Sequence, residues 1–300
     1  MIVEFRNVTK LYGRHCALRD FSVNVPEGSA FALVGTNGAG KTTAIKCLMN
    51  LIPLSHGRLS VLGTDSRLLS TREFSRIGYV SENQALPRSI RVGDYLRYLR
   101  PFYSTWDIEL EQRLIRQLRL PEDRKIGELS HGTRVKMALA CALSFRPVLL
   151  VLDEPFSGLD PLMRDELTDT LMAQLEETTV LLSSHELSEI ETFITHVAFL
   201  DAGRLLFQDP IADLSDRLRE VRVTLTAAPV GALQVPPEWL HVRVVGNVLS
   251  FVDTNFSDGS FGDRLSSVIS GVREVDAQPM GLRHIFTTLA RAAQRQESAL

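Results

Sequence analysis

GTNGAGKTT, Gly35 to Thr43, lies where an apolar strand-like run, Phe31 to Val34, gives way to a helical pattern from Thr43 to Leu51. Glycines at 35, 38 and 40 let the backbone turn tightly enough for successive N–H groups to face one point. The positive end of the following helix is directed at the same point, so an anion belongs there. Lys41 is spaced to reach the β- and γ-phosphates of a nucleotide, and the Thr42 hydroxyl to ligate Mg2+. The stretch therefore predicts a phosphate-binding loop on an α/β scaffold.

Around that loop the bulk composition narrows the choices. Among 300 residues, 33 Lys and Arg stand against 36 Asp and Glu, a formal charge of −3 that lacks the broad basic surplus of a nucleic-acid binder. With 44% hydrophobic and 23% charged residues the chain reads as globular, and its length predicts one large domain plus a smaller one. The longest uninterrupted apolar run, Met137 to Leu143, is far short of the ~20 residues a membrane helix needs. Met1 leads into strand pattern rather than a signal peptide, so the expectation is a chain soluble by itself. Cysteines 16, 47 and 141 have no paired spacing, and the latter two lie in apolar helical patterns; they are expected to be buried free thiols in a reducing cytosol.

Upstream of the loop, Ile2 to Val8 and Leu18 to Val25 alternate apolar and polar residues, the mark of half-buried antiparallel strands. Between them KLYG, Lys10 to Gly13, offers Tyr12 either as an exposed aromatic for a purine to stack on or as packing over a strand edge. Downstream, Gly57 to Leu62 and Arg76 to Val80 read as strands, the second running into SENQALP, Ser81 to Pro87. Glu82, Asn83 and Gln84 there all suit a magnesium or water contact beside a nucleotide. Apolar spacings of three and four over Val92 to Leu99 and Ile108 to Leu118 predict helices in an insertion from about 89, with Pro101 between them and Trp106 as a packing anchor.

Three further motifs follow. LSHGT, Leu129 to Thr133, opens a helix that reaches about Phe145; Ser130 suits its N-cap, and Gly132 leaves first-turn amides open to an anion, although an ordinary capped helix start looks the same. VLLVLDEP, Val148 to Pro155, is a central parallel strand ending in two carboxylates, at the sheet edge where α/β folds bind ligands. Asp153 is placed to hold Mg2+ through water and Glu154 to take a proton from the attacking water. SGLDP, Ser157 to Pro161, is explained in large part by Asp160 as N-cap and Pro161 at the first helical position. A second strand, Thr179 to Leu182, ends in SSHE and brings His185 to the same sheet edge, as a γ-phosphate contact or as a local cap. After a last strand at Val197 to Leu200, a hairpin return to Asp209 and a helix ending near Glu220, the pattern changes to short alternating strands and two helices. That region carries no catalytic constellation and predicts a second, small α+β domain.

In this order the motifs resemble the nucleotide-binding subunit of ATP-binding cassette transporters. Tyr12 matches the family's adenine-stacking aromatic, GTNGAGKTT its first Walker motif, LSHGT its signature, VLLVLDEP its second Walker motif, SGLD its D-loop and His185 its switch histidine. The resemblance covers residues 1 to about 215 and implies an α/β P-loop NTPase cassette: a mixed sheet with an antiparallel N-terminal subdomain and a helical insertion at about 89–145, followed by the accessory α+β domain at 222–300. It implies ATP and Mg2+ as ligands. Gly35, Asn37, Gly38, Ala39, Gly40, Lys41, Thr42 and Thr43 would hold the nucleotide with Tyr12, while Thr42, Glu82 and Asp153 would serve the metal. Glu154 would be the general base, His185 the γ-phosphate contact, and Ser130, Gly132 and Asp160 would meet the nucleotide of a partner subunit.

The sequence departs from the family pattern at Glu82, where a neutral glutamine is usual, and at His131 and Thr133 within the signature. One phosphate loop and one signature per chain imply a head-to-tail dimer, with a second copy or a paralogous ATPase. The compact cassette, the Tyr103 to Asp107 entry of the insertion and the C-terminal domain look like ATPases of ABC-2-type exporters. Such a subunit would sit on the cytoplasmic face of the cell membrane against a separate permease. The alternatives are a soluble cassette ATPase acting on ribosomes or DNA, and a module that binds ATP without turnover.

Overall fold

The alternation in the first 25 residues becomes a hairpin: β1 (Val3–Tyr12) pairs antiparallel with β2 (His15–Val25). Val3 and Phe5 face Val25 and Val23, and a bulge at Asn7, φ 49°, resets the parity so that Val8 also points inward, against Phe21. β3 (Ala30–Gly35) is buried at every position and leads through the phosphate loop into α1 (Lys41–Leu48). β4 (His56–Val61) and β5 (Thr64–Asp65) return to the hairpin, giving an antiparallel sheet in the order β2-β1-β4-β5. The computed structural model describes residues 1–82, 84–175, 177–229 and 233–298. Asn83, considered above as a ligand, lies outside them.

The short α2 (Thr71–Phe74), closed by a Ser70–Glu73 capping box, precedes β6 (Ile77–Ser81). The helices α3 (Val92–Leu99), α4 (Ile108–Gln117) and α5 (His131–Leu143) follow, then β7 (Leu149–Asp153), α6 (Pro161–Met172), β8 (Thr179–Ser184), β9 (His196–Asp201) and β10 (Arg204–Pro210). These strands and β3 form a six-stranded sheet in the order β10-β9-β3-β8-β7-β6, with β9, β3, β8, β7 and β6 parallel. Their near-continuous apolar sequences are what a sheet covered on both faces requires. Phe21, Phe31, Ile45, Leu48 and Val151 are buried in one cluster joining the antiparallel sheet, α1 and the central strands.

The helix after the phosphate loop ends at Leu48, earlier than the predicted Leu51, because Asn50 adopts φ 53° and closes it. The Leu51 N–H donates to Lys46 O (2.9 Å) and the Asn50 N–H to Cys47 O (3.1 Å), the paired bonds of a Schellman stop. In the helical segment, Glu111 is 1% exposed and paired with Arg100. It accepts from Arg100 Nε and Nη2 (2.9 and 2.7 Å) and from the Trp106 indole N–H (2.7 Å), so Trp106 anchors by a hydrogen bond as well as by packing on Tyr103.

The chain divides into two compact units, Met1–Gln208 and Asp209–Leu300. In the second, α7 (Ile211–Arg217) stops short of the predicted Glu220 because Arg219 already begins β11 (Arg219–Leu225). β12 (Trp239–Val245), β13 (Val248–Asp253), α8 (Asp258–Val268), β14 (Val272–Pro279) and α9 (Leu282–Ser298) complete an antiparallel sheet, ordered β12-β13-β11-β14, with its helices. Val221, Val223, Trp239, Phe251, Phe261 and Leu265 form its core, with the Trp239 and Phe251 rings stacked at 4.0 Å.

The cysteines differ from the expectation of uniform burial: Cys47 is buried, whereas Cys16 and Cys141 are half-buried, Cys16 on a strand with one solvent face and Cys141 along a groove of the helical segment. Burial pushes the Cys47 thiol up to about 11 and that of Cys141 up to about 12. At pH 8 about one Cys47 thiol in a thousand is ionised, and the thiolate is the reactive form. Labelling of the native protein at pH 8, followed by mass spectrometry, should therefore modify Cys16 well before Cys47 or Cys141; equal rates for all three would contradict this packing.

Candidate active site

The carboxyl ends of β3, β7 and β8 lie side by side, Asp153 in register with Ser183 and with Ser81, and bring the loop after β3 to the two carboxylates. α1 begins on Gly40, whose φ of 108° is open to glycine alone; a Cβ there would also stand 2.5 Å from Ala17 O. Beside this loop lies a cleft of ≈500 Å3 that Asn37, Lys41, Thr42, Glu154 and His185 all reach. Gly38, Ala39, Gly40 and Thr43 line it as well, while Gly35 ends β3 behind them.

Lys41, only 5% exposed, donates to Gly35 O (2.7 Å) and Thr36 O (3.3 Å) and forms an ion pair with Glu154 Oε1 (3.0 Å). Glu154 Oε2 meets His185 Nδ1 at 2.8 Å. The glutamate thus sits between two nitrogens, and its backbone is in the left-handed region, φ 51°, with its N–H donating to Ser183 Oγ (2.9 Å). Such a backbone costs a non-glycine residue on the order of 1–3 kcal/mol and persists only where its surroundings fix it. The neighbouring Asp153 is 4% exposed and accepts from Ser183 Oγ (2.7 Å) and Thr42 Oγ1 (3.0 Å). Burial raises its carboxyl above the usual range, and those two hydrogen bonds oppose the rise. A buried carboxylate beside a hydroxyl is an all-oxygen donor set suited to Mg2+, which typically keeps waters and takes phosphate oxygens as its other ligands. No cluster of three His, Cys, Asp or Glu able to hold a metal exists among the described residues.

Tyr12 lines the cleft and is 46% exposed, with Lys10 Nζ 4.9 Å from its ring centroid. Lys10 is itself held by Pro53 O at 2.8 Å. His15 and Ala17 line the same side. Sequence reasoning missed His15; its signal is the two-residue turn that pairs it with Tyr12 across the hairpin. If the ring stacks on a purine, Tyr12→Ala should weaken ATP binding by ~1–3 kcal/mol, while Tyr12→Phe changes little. Equal affinities of wild type and Tyr12→Ala in titration calorimetry would remove that role.

Glu82, just after β6, reaches the cleft and accepts from Ser157 Oγ (3.1 Å). Gln84 faces a neighbouring groove instead. Ser130, Gly132 and Asp160 are not brought to the cleft. Ser130 is an exposed N-cap of α5, accepting from the Thr133 N–H (3.2 Å), and Asp160 caps α6 through the Met163 N–H (2.9 Å). Gly132 is buried rather than open: a Cβ there would stand 2.2 Å from Met163 Sδ and 3.2 Å from Leu159 Cδ2, so the missing side chain lets α5 and α6 approach.

A glycine loop at a helix start, a buried Asp–Thr pair and a Lys–Glu–His chain at one sheet edge define a P-loop nucleoside triphosphatase of the cassette type. The family model described as ABC transporter matches residues 18–157. The Nod factor export ATP-binding protein I of Cupriavidus metallidurans is 30% identical over 244 residues, 75% of this chain and 80% of that protein. Among solved structures, an ATP-binding subunit of an ABC transporter superposes with a TM-score of 0.66 at 28% identity, over 72% of this chain and 92% of that one. A dimeric ATP-binding cassette bound to ADP and Pi shares the fold, with a TM-score of 0.62 at 21% identity over 70% and 98% of the two chains. The chain belongs to the ABC transporter family, as an ATP-binding, ATP-hydrolysing subunit.

Proposed function

We propose that this subunit drives export through a separate membrane permease, as an ABC-2-type ATPase docked on the cytoplasmic face of the membrane. The role of its relative in Nod factor export supports the direction of transport. No helix among the described residues is long and apolar enough to cross a membrane. The observation that carries the hydrolytic part is the Lys41–Glu154–His185 chain beside the phosphate loop.

In this reading ATP enters with its adenine on Tyr12 and its phosphates on the amides of residues 35–43 and on Lys41. Drawing Lys41 toward the phosphates takes a cation away from Glu154 Oε1 and leaves that oxygen free to face the attacking water. Glu154 then accepts the proton of the attacking water, while His185, oriented through Nδ1 by Glu154, presents its other ring nitrogen to the γ-phosphate. Thr42 and Asp153, with Glu82 nearby, would hold Mg2+, which when bound neutralises charge on the β- and γ-phosphates. Ser130, Gly132 and Asp160, set apart from the cleft, are assigned to the cleft of a second chain in a head-to-tail dimer; the partner is a second copy or a paralogous subunit. A dimeric cassette among the structural relatives is in keeping with that assignment.

Fractionation of cells expressing the tagged chain tests the transport reading. The protein should be recovered on membranes, be released by alkaline washing, and purify in detergent together with a polytopic hydrophobic protein. Recovery entirely in the soluble fraction would contradict it.

A further inference from the structure

The second unit contains a cavity of ≈300 Å3 between its sheet and α9, apart from the apolar core that α8 covers. Strand alternation puts Val221, Leu249 and Phe251 into that core, and Glu220, Ser250 and Val252 on the opposite, cavity-lining face. On β12 the alternation is broken. Leu240 pairs with Val252 but Arg243 with Ser250, so three residues oppose two, and the extra residue is absorbed at His241, whose φ is 54°. A left-handed backbone on a histidine costs about 1–2 kcal/mol, and such bulges recur where a strand re-aims a side chain. Here the bulge sets Arg243, rather than Val242, opposite Ser250, and brings His241 into the cavity lining with its Nε2 fully buried and without a hydrogen-bond partner.

From α9, Thr288 and Arg291 close the other side, Thr288 being 3% exposed. Neither Arg243 nor Arg291 has a carboxylate partner among the described residues. The acid that lines the cavity, Glu220, lies 3.9 Å from His284 Nδ1. A buried imidazole nitrogen left unsatisfied costs about 1–3 kcal/mol unless something accepts from it or donates to it. Two guanidinium-bearing side chains on the lining of the same cavity disfavour a metal ion and favour an anion.

We propose that this cavity is a binding site for a small solute carrying an oxyanion, a phosphate or a carboxylate, with Arg243 and Arg291 supplying charge and the His241 ring lining the site beside them. The volume lies at the lower edge of the ~300–1,000 Å3 typical of small-molecule sites. The site is independent of the ATP cleft and of the transport reading, since every residue in it belongs to the second unit.

Imidazole NMR of the full-length chain tests it. The seven histidines are few enough to resolve, and His241→Gln assigns the signal in question. Inorganic phosphate and, separately, succinate are titrated at constant ionic strength into the Lys41→Ala protein, in which the phosphate loop is weakened. The His241 signal should shift saturably with at least one probe, and Arg243→Ala or Arg291→Ala should weaken that binding by ~10-fold or more, the size expected for one charge-assisted bond. Saturation by phosphate alone assigns phosphate-bearing solutes, and saturation by succinate alone assigns carboxylates. Both arginines are exposed, so their truncation should leave the other histidine signals in place. No saturable shift with either probe, or a shift of undiminished affinity in the double arginine variant, would overturn the proposal.

Discussion

Glu154→Gln is expected to bind Mg·ATP about as well as wild type and to hydrolyse it at least ~10²-fold more slowly, the lower end of what a positioned general base contributes. The amide keeps the shape of the carboxylate and can still accept from Lys41 and face His185 Nδ1, now 3.0 and 2.8 Å from its two oxygens. What it loses is the capacity to take the proton of water. Removing the negative charge leaves Lys41 a neutral acceptor in place of its ion pair, so nucleotide affinity should not fall. Phosphate release under single-turnover conditions, alongside calorimetric ATP binding, separates the two effects. A variant that binds ATP normally and turns over within a fewfold of wild type would assign the base elsewhere.

The second large effect is on stability and lies in the helical segment. Arg100→Ala leaves Glu111, 1% exposed, with one remaining charge-neutral donor, the Trp106 indole. Removing one member of a buried pair typically costs ~3–5 kcal/mol, because the other charge stays out of water uncompensated. The Arg100 side chain is 30% exposed, so the low end, about 3 kcal/mol, is expected here. Replacing both, Arg100→Ala with Glu111→Leu, should recover most of the loss. Urea unfolding followed by fluorescence in a Trp239→Phe background, where Trp106 alone reports, measures it; a double variant no more stable than Arg100→Ala alone would show that the pair is not what holds α3 to α4.

The phosphate loop and the acidic end of β7 were legible because each is a short contiguous run whose spacing carries its chemistry; His185 could be placed at the sheet edge, but its γ-phosphate role came only from the family resemblance. The features that escaped depend on which strands become neighbours. Ser183 clamps Asp153 and supports the strained backbone of Glu154 only because β7 and β8 lie side by side in register 153 to 183. His15 joins Tyr12 at the cleft through a hairpin turn. Gly132 read as an open amide site, whereas its use in one chain is to admit Met163 and Leu159. The end of α1 turned on the left-handed conformation of Asn50, a residue tolerant of it but not marked out by periodicity. The helix predicted to end near Glu220 gave way to β11, whose pairing with β13 outweighs local propensity.

Ser130, Gly132 and Asp160 stand apart from the cleft of their own chain, and a head-to-tail dimer is what would bring them to a nucleotide. Light scattering of Glu154→Gln measures whether that dimer forms. With Mg·ATP the mass should double from the 33.5 kDa of one chain, because a nucleotide that is bound and not hydrolysed holds the two surfaces together. Adding Ser130→Arg should return it to one chain: the exposed cap is lost at a cost of only ~0.5–2 kcal/mol, and the phosphate loop of the same chain is untouched. A Glu154→Gln protein that stays monomeric at high concentration with Mg·ATP, or a double variant that still dimerises, would contradict the shared site and leave an ATPase complete within one chain.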